Sequence, residues 1–281
     1  MQQKKVQLGS SYYPERWERE RWDIDAQLMR DAGFRFIRTG EFAWSKFEPR
    51  DGIFDFAWMD EAIEVLARQG IDTILCTPTA SPMPWIIHRH PDILPVTEEG
   101  KTFGLGQRRH YCFNNSHYRF YTERIVREMA SHFSRHEAVI AWQIDNELGG
   151  ERFICCCDRC RKAFQEWLRK KYGDITELNR RWGGTFFSFD FTDWEQIPVP
   201  TGHNVKFFNP SFRKDYLHFY SDSMREYLFF QYRILKEYVP DLPVTTNRFT
   251  LFWDDRFDHR MDRELDVVAF DNYDLEPSMA S

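Results

Sequence analysis

The 281-residue sequence has no apolar run near the ~18 residues that a membrane-spanning helix needs. Its opening residues, Met1-Gln2-Gln3-Lys4-Lys5-Val6, lack the apolar centre of a secretory leader. The default expectation is a cytosolic (cytoplasmic) chain with no membrane partner. A basic excess is also missing: 38 Lys and Arg face 44 Asp and Glu, a formal net charge of -6. Neutralising phosphates needs a basic face, so nucleic acid is set aside as the main partner. The short runs Arg108-Arg109 and Arg169-Lys170-Lys171 read as local features. No Gly-rich phosphate loop follows the first strand-like run, and no serine-centred elbow is visible.

What the chain does contain is 42% hydrophobic and 17% aromatic residues, enough for one large core. A single α/β domain over residues 1–281 fits that length. Short apolar runs alternate with longer amphipathic stretches. Gln7–Tyr13 reads as strand one, Arg21–Ala32 as a helix closed by Gly33, and Phe34–Thr39 as strand two. Met59, Ala62, Ile63, Leu66 and Ala67 then form an apolar stripe at helical spacing, ended by Gly70. Ile71–Thr77 is strand three, followed by a proline-rich loop and a helix over His117–His136. Ala138–Ile144 is strand four. A cysteine-bearing excursion and two helical segments lead into a long aromatic helix, Ser211–Tyr238. Strand five is Pro243–Asn247 and strand six is Asp266–Phe270. Strands bracketed by helices imply parallel βαβ units. Without a phosphate loop they favour a TIM barrel over a dinucleotide-binding sheet. The fold expected is α/β, a (β/α)8 barrel that is incomplete, with about six of eight units. Eleven residues follow strand six, too few for two more units, so further chain is expected to close the ring.

In such a barrel chemistry sits at the C-terminal strand ends. There the sequence places Tyr12-Tyr13-Pro14-Glu15-Arg16-Trp17, Gly40-Glu41-Phe42-Ala43-Trp44-Ser45, Thr77-Pro78-Thr79-Ala80-Ser81-Pro82-Met83-Pro84-Trp85 and Trp142-Gln143-Ile144-Asp145-Asn146-Glu147. Rings beside polar groups suit sugars, whose C–H faces stack while their hydroxyls need hydrogen-bond partners. The competing reading is that these tryptophans merely pack. Glu147 is the sharpest feature: a carboxyl at a strand mouth can protonate a glycosidic oxygen and later deprotonate water. Asn146 beside it can bond the hydroxyl next to the anomeric carbon. The bland alternative, a solvated loop carboxylate, is weakened by the position after the fourth strand.

Six cysteines are present, four of them at Cys155, Cys156, Cys157 and Cys160. Three thiolates at Cys155, Cys157 and Cys160, with Cys112 as the fourth, suit a closed structural Zn²⁺ site. Cys156 is expected to point away and Cys76 to be a core residue. The other reading is a cluster of free thiols. Among the histidines, His88, His90, His110 and His117 show no pair at metal spacing with a carboxylate.

Together these segments, with Arg108-Arg109-His110-Tyr111-Cys112, resemble glycoside hydrolase family 42, the β-galactosidases of a large (β/α)8 clan. The resemblance implies hydrolysis of terminal non-reducing β-D-galactose residues with retention, through a covalent galactosyl-enzyme. It assigns Glu147 as proton donor, Arg109 and Asn146 as galactosyl-binding residues, and Cys112, Cys155, Cys157 and Cys160 as zinc ligands. It also implies a homo-oligomer, a trimer, for the full-length enzyme. Phe187 falls where relatives often carry a tryptophan that faces the sugar, and Tyr273 where such barrels set a tyrosine beside the nucleophile. The family's nucleophilic glutamate lies after a seventh strand, so the chain by itself is expected to be inactive or nearly so. Asp271 and Glu276 are poor substitutes for it. Two other readings remain at this stage: another retaining β-glycosidase, such as an arabinosidase or fucosidase, and a non-catalytic sugar-binding module.

Overall fold

Five of the expected apolar runs line up side by side in chain order. The computed structural model describes residues 6–106, 108–149, 154–202, 209–248 and 260–271. Its main sheet holds β1 (Leu8–Ser11), β2 (Phe34–Thr39), β3 (Asp72–Cys76), β4 (Val139–Gln143) and β5 (Val244–Thr245). They are parallel and ordered β1-β2-β3-β4-β5. After Thr246 the chain continues as β6 (Asn247–Arg248), which pairs in parallel with β7 (Ala269–Phe270). Six successive strand positions in this order make a sector of a (β/α)8 barrel. β1 and β7 each have one neighbouring strand among the described residues.

Parallel neighbours need crossovers, and the helices supply them. They are α1 (Arg19–Asp31), α2 (Trp44–Phe47), α3 (Ala57–Arg68), α4 (Pro84–Arg89) and α5 (Ser116–Phe133). α6 (Asp158–Tyr172), α7 (Ile175–Trp182), α8 (Pro210–Tyr238) and α9 (Arg260–Glu264) follow. Most of the stripe read from sequence is the inner face of α3: Met59, Ala62, Ile63 and Leu66 are buried, whereas Ala67 is exposed. α5 starts where the Asn115 side chain accepts the Tyr118 N–H at 3.0 Å, and α8 where Asn209 caps Ser211 and Phe212 ahead of Pro210. Both caps satisfy amides that a helix leaves open. α5 packs on α8 through rings: Tyr118 stacks on Tyr227 at 6.1 Å between centroids, and the Tyr227 hydroxyl meets Thr122 Oγ1 at 2.9 Å. Among the described residues no helix is long and apolar enough to cross a membrane.

Strands five and six differ from expectation in length, and side chains are the reason. Thr246 Oγ1 donates to the Ile144 carbonyl at 2.8 Å, where a backbone ladder bond would otherwise form. Likewise the Asp266 carboxylate accepts the Val244 N–H at 2.9 Å, and Thr245 Oγ1 donates to the Val267 carbonyl at 2.7 Å. The chain is held in register there, but not by continuous strand pairing.

Replacing Ile63, fully buried at the centre of the α3 face, with alanine is expected to cost about 2–5 kcal/mol of stability. Urea unfolding of the purified chain checks this; an unchanged midpoint would show that the face is not load-carrying.

Candidate active site

The site is built on an awkward turn. β4 ends at Gln143, and Ile144 extends its pairing by donating to the Thr245 carbonyl at 2.8 Å. Asp145 and Glu147 then adopt φ of 56° and 48°. Left-handed conformations cost L-residues roughly 1–2 kcal/mol each. The turn persists because its polar groups are answered from several strands. The Asp145 N–H donates to Thr77 Oγ1 at 2.9 Å, and the Asp145 carbonyl accepts from Gln143 Nε2 at 3.0 Å. Asp145 Oδ1 accepts the Asn146 N–H at 2.7 Å. The Glu147 N–H donates to Asn247 Oδ1 at 3.0 Å, while its carbonyl accepts from Arg109 at 3.1 Å. The fully buried Asp145 carboxylate also accepts from Thr79 Oγ1 at 2.6 Å and Tyr111 Oη at 2.7 Å. Burial pushes that carboxyl above the usual carboxylate range, opposed by these hydrogen bonds.

Three residues singled out from sequence meet here. Glu147 is 2% exposed, and one of its oxygens, Oε2, accepts from Arg109 at 3.1 Å and from Asn146 Nδ2 at 3.2 Å. Arg108 reaches the same oxygen at 3.2 Å. Arg109 itself has φ 59° and is fixed by its N–H on the Ala80 carbonyl at 2.6 Å. Asp271, just past β7, lies against the same group. Burial first, and the hydrogen bond and charge interaction with Glu147 next, push its carboxyl up to about 7. Two carboxyls in contact hold a proton between them more readily than two separate ones.

Around this centre runs a polar chain whose connections, and whose members Arg38 and Asn247, the sequence reading did not single out. Tyr13 Oη donates to Glu41 at 2.8 Å, and Arg38 pairs with Glu41 at 3.1 Å. Arg38 also donates to Gln143 Oε1 at 3.2 Å, passing over β3. Gln143 Nε2 donates to Asn247 Oδ1 at 3.1 Å, and Asn247 Nδ2 to Asp271 at 2.9 Å. A signal was present for some of these: Arg38, Gln143 and Asn247 are polar side chains within or at the end of otherwise strand-like runs. Such residues need partners once buried.

Phe187 is not brought to this cluster. It is 85% exposed, has φ 65°, and its ring lies on Phe186 at 4.2 Å. Tyr273 lies outside the described residues.

The four cysteines do converge. The sulfurs of Cys112, Cys155, Cys157 and Cys160 lie within 4.8 Å of one another. Cys112 is 3.7 Å from Cys157 and 3.4 Å from Cys160. A tetrahedral zinc with ~2.3 Å bonds would separate its sulfurs by about 3.8 Å, so this donor set fits that ion. Cys156 turns away, its thiol donating to the Pro200 carbonyl at 3.8 Å, and Cys76 is buried in β3 as expected. One expectation is corrected. His90, Asp92 and His117 place nitrogen and carboxylate atoms within 4.8 Å of one another. The loop after β3 folds back onto the start of α5, where Asn115 Nδ2 donates to Asp92 at 2.9 and 3.0 Å. That contact has no sequence period to reveal it. Asp92 is already paired with Arg159 and the two imidazoles stack on each other at 4.0 Å.

Known proteins resemble this chain in sequence and fold. The glycoside hydrolase 42 profile, described as beta-galactosidase, matches residues 11–280. A curated beta-galactosidase of Thermus thermophilus is 42% identical over 270 residues, covering 95% of this chain and 41% of that protein. Beta-galactosidase BgaA of Clostridium cellulovorans is 40% identical over 269 residues, with 95% and 40% covered. The crystal structure of beta-galactosidase from the psychrophilic Marinomonas ef1 superposes with a TM-score of 0.91 at 38% identity, over 95% of this chain and 41% of that one. The chain thus spans about two fifths of the length of the curated relatives it matches. With the barrel sector, the buried glutamate after its fourth strand and these likenesses together, the chain belongs to glycoside hydrolase family 42.

Proposed function

We propose that this chain is the acid/base-bearing part of a retaining β-galactosidase that releases terminal non-reducing β-D-galactose. The observation that carries the reading is the convergence of Arg109 and Asn146 on one oxygen of the buried Glu147 carboxyl. A glycoside entering this site brings hydroxyls that can take over those N–H donors. Glu147 is then released to hold a proton against the glycosidic oxygen. As that bond breaks, the proton passes to the leaving group and a second carboxylate bonds to the anomeric carbon. In the return step Glu147 takes a proton from water, which attacks the same carbon as the bond to the second carboxylate breaks, freeing that carboxylate and β-D-galactose. We place the second carboxylate, about 5–5.5 Å from Glu147, on the part of the relatives that this chain does not cover.

The four thiols complete the reading. We assign Cys112, Cys155, Cys157 and Cys160 to a structural zinc, which supplies no chemistry to the sugar and fastens two loops together. Thiolate ligands of this kind fit a reducing, cytosolic setting.

Two outcomes are expected. In the enzyme at the full length of its relatives, Glu147→Gln should lower kcat on phenyl β-galactoside by about 100- to 10,000-fold. With Glu147→Ala, added azide should restore turnover of an activated aryl galactoside and give β-galactosyl azide, because an anionic nucleophile needs no base. Undiminished activity in Glu147→Gln would sink the assignment. For the metal, analysis of protein purified without chelator should find close to one zinc per chain, with Cys160→Ser losing it and melting at lower temperature. A metal-free, equally stable wild type would remove the zinc site.

A further inference from the structure

Asn247 stands where the fifth strand changes partners. Residues Val244–Thr245 pair with β4, whereas Asn247–Arg248 pair with β7. Its buried side chain therefore reaches groups from both sides of that change. Oδ1 accepts the Glu147 N–H at 3.0 Å and Gln143 Nε2 at 3.1 Å. Nδ2 donates to Asn146 Oδ1 at 3.3 Å and Asp271 Oδ2 at 2.9 Å. Both donors and both acceptor positions of the amide are used.

The amide cannot be turned over without loss. The Glu147 N–H is a donor only, so the atom facing it must be the oxygen. That choice puts Nδ2 opposite the Asn146 oxygen, which in turn directs the Asn146 NH₂ at Glu147. One side chain thus fixes the left-handed backbone of Glu147 and the orientation of its neighbour. We propose that Asn247 is a positioning residue for the acid/base step, holding Glu147 and Asn146 in working orientation without touching the sugar. This rests on the β-galactosidase reading and deepens it. Asp271 and Gln143 are the supports on either side of the amide.

In the first step a misplaced acid harms only bonds that need a proton to break, and kcat/KM reports that step alone, whatever happens to the water-attack step in which Glu147 serves as base. Dinitrophenolate leaves a sugar unaided, whereas phenolate requires protonation, so the two leaving groups separate acid positioning from general damage. The test uses Asn247→Leu and Asn247→Asp in the enzyme at the full length of its relatives. Asn247→Leu removes all four bonds at similar volume. Asn247→Asp keeps the acceptor but loses the donor, and it carries the test if the leucine variant fails to fold. Expected for Asn247→Leu is a roughly hundredfold fall in kcat on phenyl β-galactoside. KM on phenyl β-galactoside should stay within about threefold, and kcat/KM on 2,4-dinitrophenyl β-galactoside should fall less than about tenfold. Asn247→Asp should show the same leaving-group selectivity at smaller size. Equal losses on both substrates, a change confined to KM, or no change in either variant would overturn the proposal. Glu147→Gln, run on the same pair, separates the two levels. If it shows no leaving-group selectivity, the underlying reading fails. If it does and the Asn247 variants do not, only the positioning role falls.

Discussion

Buried ionisable groups at the end of a sheet must find partners, and the need is sharpest at the turn Asp145-Asn146-Glu147. Two of its three residues take a backbone conformation that side chains disfavour. Thr77 and Thr79 answer it from the loop after β3, Tyr111 and Arg109 from further along that loop, and Asn247 from β6. Local bonds from Gln143 and the Asp145 side chain cover only part of this turn; the rest of its support comes from strand ends that are already side by side. The parallel sheet with helices outside is therefore what makes the carboxylate geometry possible, more than the residues of the turn themselves.

Charge is handled in the same distributed way. Arg38, Arg108 and Arg109 face Glu41 and Glu147, and the neutral amides of Gln143, Asn146 and Asn247 link the two groups. Amides can both donate and accept, so they join acidic centres without adding net charge in a low-dielectric setting. The raised Asp271 belongs to this pattern: buried beside a second carboxyl, it gives up its proton less readily.

What the sequence makes legible follows from range. The α3 stripe, the β2 run, the long helix α8 and the clustered cysteines are local patterns, and local patterns report local structure. Glu147 and Asn146 could be named because they stand in a short string at a strand end, and Arg109 because its string Arg108-Arg109-His110-Tyr111-Cys112 carries the family resemblance. The partners that hold them could not, since Asn247 meets Glu147 across a hundred positions and Arg38 meets Gln143 across 105. The same reason hid the approach of His90 and Asp92 to His117, and the break at Thr246, where side-chain hydroxyls replace ladder bonds. Phe187 shows the converse: its residue type is visible in the sequence, but its outward direction depends on a left-handed backbone that no periodicity encodes.

The stretch Arg109-His110-Tyr111-Cys112 combines tasks that are often kept on separate segments. Arg109 holds Glu147, Tyr111 holds Asp145, and Cys112 joins the sulfur cluster, all within one turn of chain. An engineer who sought to alter sugar preference by transplanting loops between relatives could not exchange this one alone. It would have to travel with the cysteine-bearing loop after β4, as a two-part cassette whose halves meet at the sulfur cluster.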